Sequence, residues 1–115
     1  LLVYSTDMRF QLYTAAGGNA MSMPSSVDID DGAVHFAVAT WDGAAAKLYL
    51  DAVDVSGVQT GTGAGWNTSN SQTLMLGNRG DLAGALVGTI DEPAIWTRAL
   101  TAAEIAALYR VGRGY

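Results

Sequence analysis

The sequence predicts an all-β fold, an antiparallel β-sandwich with one short C-terminal helix, and three observations carry that prediction. Short segments alternate apolar and polar residues with a period of two, glycine-marked turns separate them, and a single amphipathic helix comes late. The 115 residues suit one core and are too few for two, so one domain spanning 1–115 is expected.

The helix is the most strongly specified element. It closes the stretch Gly84 to Tyr109, which is read as a buried strand running into a helix. Thr101 is a good N-cap, and Glu104 three residues on completes a capping box. Leu100 before the cap and Ile105 after it are spaced to form a hydrophobic staple. Leu100, Ile105, Leu108 and Tyr109 share one face, so the helix should lie on a surface, with Gly112 as its terminator.

The strands follow in order. From Leu1 to Tyr13, Met8, Phe10 and Leu12 alternate with Arg9, Gln11 and Tyr13, which reads as one strand. A turn at 16–19 leads into Ala20 to Asp31, a short strand or loop that carries Pro24 and ends at the Asp31-Gly32 turn. Val34 to Trp41 is apolar on both faces, as expected of a mid-sheet strand between layers. Asp42-Gly43, lengthened by Ala44 to Ala46, turns the chain back into Lys47 to Asp51, and the two strands should pair antiparallel. Gly57 to Ser71 is the longest irregular stretch and contains Trp66. Gln72 to Leu76 reads as a short strand ended by Gly77-Asn78, and the loop 79–84 leads to the final strand.

Composition bounds the partners. Half the residues are apolar, and eleven acidic against six basic residues give a formal net charge of −5. With the six cations scattered, nucleic acid and anionic membranes would be repelled. No cysteine is present, which excludes disulfides and thiolate metal sites, and no apolar run is long enough to insert in a membrane. The chain opens LLVYSTD, without an initiator Met or a signal peptide's pattern, so it is expected to be the C-terminal part of a longer domain or chain.

Two blocks carry a family resemblance. His35 to Gly43 followed by Leu48 to Asp51 resembles the "W-H-x-V-A-V-T-Y-D-G … L-Y-V-D-G" hairpin of laminin G-like domains, members of the concanavalin A-like lectin/glucanase jelly rolls. Gly88 to Glu92, Ile95-Trp96, Arg98 to Ile105 and Leu108-Tyr109 resemble that family's closing "G-x-I-D-E-V-x-I-Y-x-R-A-L-S-x-x-E-I-x-x-L-Y". The resemblance covers roughly positions 8 to 109 and implies a jelly-roll sandwich. Pro93 replaces the family's usual Val and removes a ladder donor, which implies a bulge or an open edge there. The family's opening strands have no counterpart before Leu1, so they are expected upstream or from another chain.

No catalytic pattern is found. His35 is the only histidine and is read as structural, hydrogen-bonded within the sheet. There is no G-x-S-x-G, H-E-x-x-H, phosphate loop or E-x-D-x-x-E, so an enzyme is not expected. Asp28, Asp30, Asp31 and Gly32 miss the EF-hand spacing and read as solvated turn carboxylates. The resemblance suggests Asp91 as a structural calcium ligand, with strand capping or pairing to Arg98 as the alternative. Trp41, Tyr49, Trp66 and Trp96 are the candidates for stacking on a sugar ring, although Trp41 and Trp96 are expected to fill the core. Trp66, in a polar loop, is the leading ligand-binding candidate, with Asn67 beside it and Tyr49 as a third. Asn67-Thr68-Ser69 is a formal glycosylation sequon.

The expected function is therefore non-catalytic: an extracellular, cell-surface or virion-exterior recognition and adhesion module that binds glycan or protein through sandwich-end loops. The alternative is a structural component of a larger assembly, such as a phage tail, fibre or capsid-decorating protein, with homo-oligomer contacts. A third option is an accessory domain of a secreted polysaccharide-degrading enzyme.

Overall fold

A computed structural model of the chain describes residues 2–4, 7–68, 75–77 and 86–112. Among these residues there are seven strands and one helix: β1 (Leu2–Tyr4), β2 (Asp7–Tyr13), β3 (Asn19–Asp28), β4 (Ala37–Trp41), β5 (Ala46–Leu50), β6 (Val53–Asp54), β7 (Thr60–Gly61) and α1 (Ala102–Gly112). All pairings are antiparallel, in a four-stranded sheet ordered β1-β2-β3-β7 and a three-stranded sheet ordered β4-β5-β6.

The core lies between the sheets. Met8, Leu12, Met21, Met23, Ala46, Leu48 and Val55 form one buried cluster, edged by Phe10, Ala39, Trp41 and Leu50. Three of its members are methionines, whose unbranched chains fill irregular space between twisted sheets. Val55 is the corner where the chain changes sheet: its N–H donates to Leu48 O at 2.9 Å, and its carbonyl accepts from Ser26 N at 2.7 Å.

The N-terminal stretch differs from the single strand expected. It is a hairpin, with Leu2 opposite Arg9 and Tyr4 opposite Asp7, because the period-two pattern holds only from Met8 onward. The segment read as a short strand or loop is the ten-residue β3, despite Pro24. Pro24 sits opposite Arg9, beside a register shift between Asp7 and Arg9. Met8 N donates to Ser25 Oγ at 3.0 Å, and Ser25 Oγ donates to Val27 O at 2.8 Å. A side chain thus satisfies a buried N–H at the irregularity, which is how a proline is tolerated inside a paired strand.

The β4–β5 hairpin forms as expected, with Ala39 opposite Leu48 and Trp41 opposite Ala46. Asp42 closes it by accepting from Ala44 N at 2.9 Å and Ala45 N at 2.8 Å. Strand β4 begins at Ala37, and Val34 is fully exposed. It pairs only with β5, so β5 and not β4 is the central strand of this sheet among the described residues. Both faces of the hairpin are nevertheless covered, as its two-sided apolar pattern requires. Val38 and Tyr49 face away from the first cluster and are buried with Leu100 and Ile105, with Phe36 and Ala52 packed at the edge.

Helix α1 starts as its capping box directs. Thr101 N donates to Glu104 Oε2 at 2.8 Å, and Glu104 N donates to Thr101 Oγ1 at 3.3 Å. Arg98 adds a two-pronged ion pair to Glu104 at 2.9 and 2.6 Å. The Arg98 guanidinium, with the Thr101 N–H and hydroxyl, holds the Glu104 carboxyl at about 2. The staple residues Leu100 and Ile105 are both buried, and the Tyr109 ring stacks on Phe36 with centroids 5.9 Å apart. Leu108 faces outward at 37% exposure, and Gly112 is the last helical residue and not a left-handed terminator.

The expected buried strand before the helix is not there. Residues 86–100 form no strand, and Val87 and Ile95 are 99% and 77% exposed. Trp96, expected in the core, is 43% exposed. Pro93 has no N–H to donate, and Glu92 at φ 46° breaks the extended path, so the stretch cannot run as an uninterrupted ladder. The expected strand at Gln72 to Leu76 falls largely outside the described residues; Met75 and Leu76 within it are exposed and not in a strand. The loop 79–84 also lies outside them.

The turns and the helix cap carry three stability predictions. Asp51 and Ala52 form the two-residue β5–β6 loop with φ of 52° and 67°, a conformation that costs a residue bearing Cβ roughly 1 kcal/mol. Ala52→Gly should therefore raise the thermal midpoint, by about 0.5–1 kcal/mol of stability. Thr101→Ala should cost about 1 kcal/mol in a denaturant melt. Because the Glu104 carboxyl is depressed, its contribution is present above the ordinary value of 4.5 and should fade as pH falls through about 2, read by helical circular dichroism.

Candidate functional site

Three connections meet at one end of the sandwich: the β2–β3 turn (residues 14–18), the β4–β5 turn (42–45) and the loop after β7 (62–67). Each is fixed by its own hydrogen bonds and then to its neighbours. Thr14 N donates to Gly18 O at 2.8 Å, and Thr14 Oγ1 accepts from Gly18 N at 3.2 Å. Gln59 ties the second turn to β7: its Oε1 accepts from Ala46 N at 2.8 Å, and its Nε2 donates to Ala44 O and Gly61 O at 3.2 and 3.0 Å.

Trp66 belongs to the third connection, and its backbone is held on three sides. It forms an antiparallel bridge with Thr14, its N–H donates to Gly63 O at 3.2 Å, and Asn67 N donates to Tyr13 O at 2.8 Å. Gly63 N in turn donates to Ala20 O at 3.0 Å. Gly63 has φ 74°, and a Cβ there would stand 2.7 Å from the Trp41 ring, so only glycine lets this loop pass beneath Trp41. The Trp66 side chain is 41% exposed, an aromatic surface on a pinned backbone. Tyr13 on β2, whose hydroxyl donates to Gln11 Oε1 at 3.0 Å, is 48% exposed near the same end.

These three connections are nearly uncharged. Asp42 is the only ionisable residue in the three connections. The Ala45 and Ala44 N–H groups hold its carboxyl below the usual carboxylate value. Elsewhere Arg9 pairs with Asp7 at 3.1 Å, Lys47 with Asp54 at 3.0 Å, and Arg98 with Glu104.

The sequence-derived candidates separate in space. Trp66 and Asn67 sit at this end, whereas Tyr49 is 5% exposed beneath α1, where its ring packs on Val38, Leu100 and Ile105 and offers no face to a ligand. Trp41 is half-buried against the core, as expected. Asp91 Oδ1 accepts from Glu92 N at 2.9 Å, and Arg98, its expected alternative partner, is engaged by Glu104 instead. Among the described residues no group of three or more His, Cys, Asp or Glu gathers that could hold a metal ion.

Sequence reasoning missed one cluster at the opposite end. His35 contacts two carboxylates, Asp51 Oδ2 at 2.8 Å through Nδ1 and Asp31 Oδ1 at 3.0 Å through Nε2. It bridges a loop to a turn and does not bond within a sheet. The i, i+4 spacing of Asp31 and His35 was the local signal; the contribution of Asp51 depended on the β5–β6 turn.

The sequence signature of the concanavalin A-like lectin/glucanases superfamily, in its laminin G form, matches residues 1–106. The chain belongs to that superfamily. A solved structure of similar fold is an S-layer domain-containing protein (residues 221–444) from Clostridium thermocellum ATCC 27405, with a TM-score of 0.58 and 15% identity. The alignment covers 95% of this chain and 65% of that one, so the laminin G-like chain spans just under two thirds of its neighbour's length. No curated protein matches.

Gly63→Ala tests how firmly the Trp66 loop is tied to the core. It should cost about 1–3 kcal/mol of stability, from backbone strain and the clash with Trp41. A changed near-ultraviolet tryptophan signal in the folded variant is the expected companion.

Proposed function

We propose that this laminin G-like sandwich is a recognition module acting outside the cell or on a particle surface, and that it binds an uncharged glycan through the loop end that carries Trp66. The observation that carries the reading is the exposure of Trp66 on a backbone held by Thr14, Gly63 and Tyr13. A pinned aromatic ring offers a flat apolar face at little entropic cost, which suits the C–H face of a pyranose. Asn67 and the carbonyls of the adjoining turns supply polar groups at the rim. The near absence of charge disfavours sulfated or uronic-acid ligands, since Asp42 would repel them and none of the three connections contributes a cation.

A second reading is favoured by a different observation. Leu86, Val87, Ile90, Ile95 and Trp96 are all exposed along one stretch, more apolar surface in sequence than an isolated domain usually leaves in water. In that reading the chain packs against neighbouring chains as part of a larger assembly.

Binding to an array of neutral and acidic glycans separates the two. Saturable retention on neutral glycans, weakened at least about tenfold (about 1.4 kcal/mol) by Trp66→Ala, is the expected outcome. Retention unchanged by Trp66→Ala would sink the loop-end reading. Absence of any retention at millimolar sugar, with concentration-dependent assembly in light scattering that Ile95→Ser and Trp96→Ser reverse, would favour the second.

A further inference from the structure

We propose that His35 is a proton-operated clip, which fastens the loop of residues 29–36 to the β5–β6 turn when its ring is charged and lets go of Asp31 when the ring is neutral. The geometry sets the proton count. A neutral imidazole has one N–H and one bare nitrogen, and the bare nitrogen cannot donate to an ionised carboxylate. Here both nitrogens lie within hydrogen-bond distance of carboxylate oxygens, Nδ1 to Asp51 Oδ2 at 2.8 Å and Nε2 to Asp31 Oδ1 at 3.0 Å. Both bonds form together only when the ring is the imidazolium.

The two arms are not equivalent. Asp51 is 32% exposed, and its second oxygen accepts from Phe36 N at 3.0 Å, while Phe36 O accepts from Asp51 N at 2.9 Å. That arm is anchored in a closed backbone ring and survives loss of one proton. Asp31 is 61% exposed and is otherwise held by Ala33 N at 2.8 Å, a local Asx turn around Gly32. Once the ring is neutral, its single proton belongs on Nδ1 facing Asp51. Nε2 then presents a lone pair to Asp31, and the two repel.

The groups acting on the ring are Asp51 from the β5–β6 turn and Asp31 from its own loop; both favour the charged form and raise the His35 pKa above 6.5, Asp51 more strongly. From α1, the Tyr109 ring stacks on Phe36, the residue next to His35 in sequence. A raised histidine value means the clip is held closed on the acid side of the folded-state value, which lies above 6.5, and opens as pH rises through it. What opens is an acidic loop, since Asp28, Asp30 and Asp31 fall within four residues.

Long-range nitrogen–proton spectra of the His35 ring in the full chain, recorded from about pH 5 to about pH 9, test this. The expected result is a titration midpoint above 6.5, with an Ala33 amide shift that follows the same midpoint. On deprotonation the surviving N–H should be Nδ1. Asp31→Asn, at a position whose side chain is 61% exposed, should lower the midpoint and remove the Ala33 response. Asp51→Asn, which keeps an acceptor for Phe36 N and tolerates the positive φ, should lower it further. A midpoint at or below 6.5, or one that neither variant moves, would overturn the clip, as would an Ala33 amide that ignores the titration.

Discussion

Two consecutive side chains of β5 set the architecture. Leu48 and Tyr49 point to opposite faces of the strand, as neighbours in any strand must, and both are buried, at 0% and 5% exposure. A strand with two dry faces needs a layer on each side. The four-stranded sheet supplies Met8, Met21 and Met23 to Leu48, and α1 supplies Leu100 and Ile105 to Tyr49. The helix is therefore a third layer and not a decoration at the chain end, and its capping box fixes where that layer begins.

This constraint explains which parts of the fold could be read from the chain. The β4–β5 hairpin and the helix start are set by contacts within a few residues: Asp42 with Ala44 and Ala45, Thr101 with Glu104, Leu100 with Ile105. Those signals survive without knowledge of the rest of the molecule. Strand β3 was obscured because Pro24 argues locally for a break, and its tolerance depends on Ser25 reaching a strand seventeen residues away. The stretch 86–96 was misread for the opposite reason. Its residues alternate well enough for a strand, yet a strand exists only with a partner, and none pairs with it among the described residues.

The site was legible to a similar degree. Trp66 stood out because an indole in a run of Gly, Thr, Asn and Ser has no local reason to be there, and it does lie on the surface. Tyr49 did not, since its neighbours Leu48 and Leu50 gave no hint that the outer face was covered too. The fixed posture of the Trp66 loop could not be foreseen either. It rests on Gly63 sliding under Trp41 and on bridging to Thr14, both made by residues distant in sequence.

The charges divide the molecule in a way that the net figure of −5 hides. Around Trp66, three connections carry one ionisable group between them, and it is satisfied by backbone N–H groups. At the other end Asp31 and Asp51 both contact a single histidine, with Asp28 and Asp30 close to Asp31 in sequence. The Asp31 and Asp51 carboxylates are like charges, and the side chain that joins them is one whose own charge depends on pH. A surface meant only to be solvated would not need the imidazole to contact two carboxylates at once. The quiet end and the acidic end can thus respond to different conditions, and five-residue strands joined as a rigid hairpin, β4 to β5, are what hold them apart.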